Sequence, residues 1–108
     1  MKSYTDIEQS KKLAKILSIE SADMFYRDNG IDVKLMWEHN AQKVTSPCWS
    51  LTALLSVIPN YKLSSEHNYH TCTADTSFGT ETVGWFDCPV DACVAMIEKL
   101  HNLKMLKL

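Results

Sequence analysis

Glycine and proline are scarce, three of each in 108 residues, too few for a collagenous, disordered or low-complexity chain. The three glycines, Gly30, Gly79 and Gly84, cannot build G-x-G-x-x-G or a P-loop. G-x-S-x-G, H-E-x-x-H, C-x-x-C and the EF-hand loop are missing too. Nucleotide-binding and hydrolase readings therefore lose their main support. Long apolar runs are absent: the longest candidate, Leu51 to Ile58, contains Thr52 and Ser56 and is far shorter than the roughly 18 residues a membrane span needs. Charge of one sign is lacking as well. Eleven basic and thirteen acidic side chains leave a net charge of −2, with no global field to draw nucleic acid or an anionic membrane.

Within the first twenty residues, Lys2, Asp6, Glu8, Lys11, Lys12, Lys15 and Glu20 interrupt any secretory apolar stretch. Asn29, Asn40, Asn60, Asn68 and Asn102 all lack a Ser or Thr two residues on, so no glycosylation acceptor is present. A soluble, cytoplasmic protein is expected. Its four cysteines, Cys48, Cys72, Cys88 and Cys93, are then expected as reduced thiols rather than bridges.

The length suits one domain, residues 1–108, able to bury roughly 65% of its unfolded surface. Thr5-Asp6-Ile7-Glu8 reads as a capping box, with a helix running to Leu17 that buries Leu13, Ile16 and Leu17 and turns Lys11, Lys12 and Lys15 to solvent. Met24 to Tyr26 and Ile31 to Trp37, around the Asn29-Gly30 signal, read as a β-hairpin. Ile31, Val33, Leu35 and Trp37 share one face of its second strand. After a polar connection from Glu38 to Thr45, Ser46-Pro47 offers a cap and an N1 proline for a very apolar helix ending at Pro59-Asn60. Tyr61 to Trp85 predicts two or three strands, with turn signals at Ser64-Ser65, Asp75-Thr76 and Ser77-Phe78-Gly79. The clearest of these strands, Asn68 to Ala74, pairs with Thr80 to Trp85. Asp87-Cys88-Pro89 opens the last helix, whose core stripe is Cys93, Met96, Ile97, Leu100 and Leu103. Its charges, Asp91 early and Lys99, Lys104 and Lys107 late, suit the helix dipole. The expected fold is α+β: a small antiparallel sheet of four or five short strands covered by about three helices.

The densest group of chemically capable side chains is His67-Asn68-Tyr69-His70-Thr71-Cys72. Two imidazoles and a thiol could serve zinc if Cys88, Cys93 or His39 completed the set. On a strand His70 and Cys72 share a face and His67 does not, so surface histidines beside a packed cysteine are the simpler account. Cys48 and Cys88 each sit near the N-terminus of a predicted helix, where the dipole favours thiolate. Cys93, on the apolar stripe, reads as packing. Trp37, Trp49 and Trp85 serve either the core or an interface, the core being the commoner use.

Three segments, Ser21-Ala22-Asp23-Met24, Trp49-Ser50-Leu51-Thr52-Ala53-Leu54-Leu55 with Ile58-Pro59, and Pro89-Val90-Asp91-Ala92-Cys93 with Met96-Ile97, together resemble a family of small uncharacterised proteins of gut bacteria of the Bacteroides type. That family often accompanies mobile or phage-like genetic material. The likeness covers most of the chain and is weakest over Glu66 to Thr82. It implies a soluble intracellular protein and assigns no catalytic residue, metal ligand or cofactor to any position. The expectation is a non-catalytic protein-interaction or accessory protein, acting on another protein or on itself, without nucleic acid or membrane. The alternative is a metal-binding or thiol-dependent protein using His67, His70, Cys72 and a second cysteine.

Overall fold

The structure, a computed structural model, describes residues 2–27, 30–33 and 46–106. Its elements are α1 (Ile7–Leu13), β1 (Met24–Arg27), β2 (Gly30–Val33), β3 (Ser46–Cys48), α2 (Leu51–Val57), β4 (Tyr61–Glu66), β5 (Tyr69–Thr76), β6 (Gly79–Thr82) and α3 (Pro89–Asn102), with a 3-10 turn at Ile19–Ser21. The chain is α+β, with every strand pairing antiparallel. The strands divide into two three-stranded sheets, β2-β1-β3 and β4-β5-β6, rather than one. Among the described residues no helix is long and apolar enough to cross a membrane.

α1 begins one residue later than the sequence signal suggests. Asp6 is its N-cap, accepting from the Gln9 N–H at 2.8 Å, while Gln9 reaches back to the Asp6 N–H. Aspartate outranks threonine at a cap, and Thr5 is needed elsewhere. Fully buried, Thr5 accepts from the Trp49 N–H through Oγ1 and shares a 2.8 Å hydrogen bond with Ser10 Oγ. Regular helix stops at Leu13, not Leu17, but Ile16 and Leu17 still turn back to the Leu13 carbonyl, and Leu13 and Leu17 enter the core as expected.

Ser46 and Pro47 do not start a helix; they form β3 against β1, with Pro47 opposite Phe25. Among the described strands β3 is at the edge of its sheet, where a residue without an N–H is tolerated. α2 starts instead at Leu51, capped by Ser50, whose Oγ accepts from the Ala53 N–H. In the first sheet Met24 pairs with Val33 and Arg27 with Gly30, so the predicted hairpin forms with Gly30 inside β2. Asn29, Leu35, Trp37 and the connection from Glu38 to Thr45 lie outside the described residues.

α3 follows its predicted opening, with Cys88 as N-cap and Pro89 in the first turn. It buries Val90, Ala92, Cys93, Val94, Met96, Ile97 and Leu100, a wider stripe than the periodicity alone gives. The reason is that it packs against both β5 and α2. Leu103 is not on that stripe: it is the C-cap and half-exposed. Leu63, Val83 and Phe86 from the second sheet pack against the same core, alongside the buried Cys72 and Ala74. Lys99 fixes α3 to β6, donating to the Thr82 carbonyl at 2.6 Å beside Glu81. Lys2 and Gln9 hold the amino-terminal segment to the helix by meeting Asp91 at 2.8 Å each.

Candidate functional site

The second sheet carries the residues that sequence patterning singles out for chemistry, and it separates them. The predicted turn at Ser64-Ser65 lies within β4, and the chain reverses at His67 and Asn68, both at positive φ (52° and 67°). That is the geometry of a two-residue hairpin loop whose twist matches the strands. His67 therefore sits at a loop tip, its ring exposed and 3.7 Å from Glu66. His70 and Cys72 do share the inner face of β5. The His70 ring shares a 2.8 Å hydrogen bond with Ser65 Oγ through Nδ1, and its Nε2 is buried without a partner. His39 lies outside the described residues, among which no three metal-capable side chains converge.

The thiols are also poorly placed for nucleophilic work. Cys48 is not at a helix N-terminus but in β3, fully buried, and burial pushes its thiol up despite the hydrogen bond from Thr5 Oγ1. Cys88 does cap α3, yet it is buried and its Sγ donates to the Lys2 carbonyl. Cys72 and Cys93 meet across the β5–α3 interface, each fully buried. Cys93 is held up by that contact and by burial, and Cys72 is lowered by it. A low thiol pKa signals reactivity only where a substrate can reach it.

The outer face of the same sheet exposes two aromatic side chains, Tyr69 and Trp85. Phe86 forms a bridge with His70, exchanging hydrogen bonds of 2.7 and 2.8 Å, while Thr82 pairs with Thr73. Thr71 and Cys72 thus face Val83, Gly84 and Trp85, one residue more, which is a β-bulge. Thr71 Oγ1 closes it by donating to the Val83 carbonyl at 2.9 Å. Phe86 turns inward onto the core, so Trp85 before it turns outward. Trp85 is 51% exposed and Tyr69, its diagonal neighbour on that face, 50% exposed, whereas Thr71 between them is buried. Trp49 by contrast is fully buried, its Nε1 donating to Ser21 Oγ at 2.9 Å. Of the two tryptophans described, only Trp49 fits the core expectation. The alternation Tyr69, Thr71, Thr73 in the sequence carries this face; the outward aim of Trp85 depends on the bulge, which Gly84 alone hints at.

A cavity of about 590 Å³ opens between the end of α2, the β5–β6 turn and the segment after α3, lined in part by Ile58, Asp75, Phe78, Lys104 and Met105, and by no tryptophan or tyrosine. Much of its polar lining is already engaged: Asp75 accepts from Thr80, and Thr76 Oγ1 joins the Gly79 carbonyl to the Phe78 N–H. Comparison with protein-family models, with curated proteins and with solved structures gave no match.

Proposed function

We propose that this chain is a non-catalytic protein-interaction module of the cytoplasm, and that the outer face of its second sheet makes the contact. The observation that carries this reading is Tyr69 and Trp85 standing half-exposed about the buried Thr71. Tyrosine and tryptophan offer large contact area at little cost in side-chain entropy, and they are enriched at interface hot spots. Lys62, Glu66 and Asp75, all exposed, border the patch in the polar rim that interfaces carry. The balanced charge of the chain favours a protein over nucleic acid as partner. The metal or thiol alternative has less support, because His67 is turned away from Cys72 and every described thiol is buried.

Photo-crosslinking in cells tests the proposal. A photoreactive side chain at Thr73, on the outer face, is expected to give a discrete protein adduct that disappears in the Tyr69→Ser/Trp85→Ser double variant. The same group at Lys12, on the exposed side of α1, is expected to give none. Adducts that ignore the double substitution, or none from Thr73, would count against the outer face as the contact.

A further inference from the structure

Among the described residues nothing pairs with the outer side of β4 in the second sheet. Its other side pairs with β5, and the two-residue loop at His67-Asn68 makes Glu66 and Tyr69 the closing, hydrogen-bonded pair. Hydrogen-bonded pairs then alternate along the ladder, so Glu66, Ser64 and Lys62 direct their backbone groups to β5. The Asp75 N–H to Asn60 carbonyl bond continues the same alternation. Tyr61, Leu63 and Ser65 therefore direct their N–H and C=O groups to the outer edge, where no described residue meets them. Such an edge is a template for another strand.

Charges on exposed edges usually prevent pairing. Here they have opposite signs and are symmetrically placed, Lys62 two residues before Ser64 and Glu66 two residues after it. We propose that β4 pairs with β4 of a second copy of the chain, antiparallel about Ser64, so that each Lys62 stands opposite Glu66 of the partner subunit. The proposal rests on the reading of the chain as a contact module and names the partner for one edge of its second sheet. In this register Leu63 exchanges backbone hydrogen bonds with Ser65 of the partner subunit. Both residues belong to the set whose groups face outward. Lysine and glutamate fall on the intervening pairs, where opposed side chains approach most closely. Centring the two-fold on Lys62 or on Glu66 instead would forgo both of these opposite-charge pairs. The contact is isologous and closes on itself, giving a dimer with a six-stranded sheet and no tendency to propagate through β4.

Sedimentation velocity across micromolar to millimolar concentrations tests this. The wild-type chain is expected to dimerise, and Lys62→Glu or Glu66→Lys alone to weaken association by about tenfold or more, since each replaces two attractive pairs by two repulsive ones. Mixing those two variants is expected to restore a dimer, because both pairs across the two-fold then again join an acid to a base. Amide exchange at Leu63 and Ser65 is expected to slow on dimerisation. A wild type that stays monomeric overturns the pairing. A dimer indifferent to both charge reversals, or variants that do not recover on mixing, overturns it too. If Thr73 crosslinks remain dependent on Tyr69 and Trp85 in a monomeric chain, only the self-pairing fails, and the contact reading stands.

Discussion

The Asp23 carboxylate takes two hydrogen bonds from Ser50, one from its N–H at 2.9 Å and one from its Oγ–H. Ser50 Oγ in turn accepts from the Ala53 N–H at the start of α2. One carboxylate just ahead of β1 thus sets both the position of an N-cap and the direction of its hydroxyl proton. Beside it Ser21 Oγ receives the Trp49 indole N–H, so the segment leading from the 3-10 turn to β1 is joined to the entry to α2 by two adjacent contacts.

Ser50→Ala should therefore cost about 1–2 kcal/mol, the upper range for loss of a cap, because the Asp23 carboxylate also loses a donor. Asp23→Ala should cost about 1 kcal/mol, and the double variant less than the sum, with a coupling of about 0.5–1 kcal/mol for residues in direct contact. Urea denaturation of the four proteins in the cycle measures this. Strict additivity would mean that the two residues act separately.

The carboxyl end of α3 leads to a prediction of opposite sign. The Met105 N–H reaches the Leu100 carbonyl at 2.8 Å and the Lys104 N–H the His101 carbonyl at 3.0 Å, a Schellman closure with Lys104 at φ +59°. A side chain in that conformation costs about 1–2 kcal/mol that glycine avoids, partly offset by the greater freedom of glycine in the unfolded chain. Lys104→Gly should stabilise the protein by about 0.5–1 kcal/mol, seen as a higher denaturation midpoint with an unchanged m-value. Lys104→Ala should not reproduce the gain.

The contrast among helix ends explains how much of this fold the sequence discloses. α3 is legible because proline, a first-turn acid and an apolar stripe all agree. α2 is not, because Ser46-Pro47 carries the same signal and yet belongs to strand β3. What decides between them is the pairing with Phe25, a contact distant in sequence. Thr5 misleads for the same reason, its hydroxyl being needed by Trp49 and Ser10. In the site, alternation in β5 puts His70 and Cys72 on one face. The loop that removes His67 needs the positive φ of two non-glycine residues, for which asparagine is only a weak signal.

Tyr26 supplies a test at alkaline pH. Its hydroxyl donates to the Thr5 carbonyl at 2.6 Å, a group that also accepts from Cys48 Sγ. Burial, with Cys48 beside it, pushes the phenol up to about 12. A neutral form favoured by folding contributes stability that is full below about pH 10, the unfolded value, and is lost as pH rises from there toward 12. Tyr26→Phe should cost about 1 kcal/mol at neutral pH and flatten that alkaline decline, as followed by urea midpoints between pH 8 and 12. A decline of equal steepness in the variant would place its origin elsewhere.

The thiols give the last test and bear on the alternative chemistry. All four are buried, and the lowered pKa of Cys72 arises from Cys93, a neighbour equally sealed from solvent. A lowered thiol pKa without access should leave the folded protein inert. Ellman's reagent at pH 8 should react with these cysteines on the order of a thousandfold more slowly than in denaturant, at a rate governed by opening of the structure. Cys93→Ala should leave Cys72 just as slow in the folded state, because access rather than ionisation limits it. A single fast thiol in the native protein, lost on Cys72→Ala, would instead mean that the β5–α3 seam opens readily, and would bring the thiol-dependent reading forward.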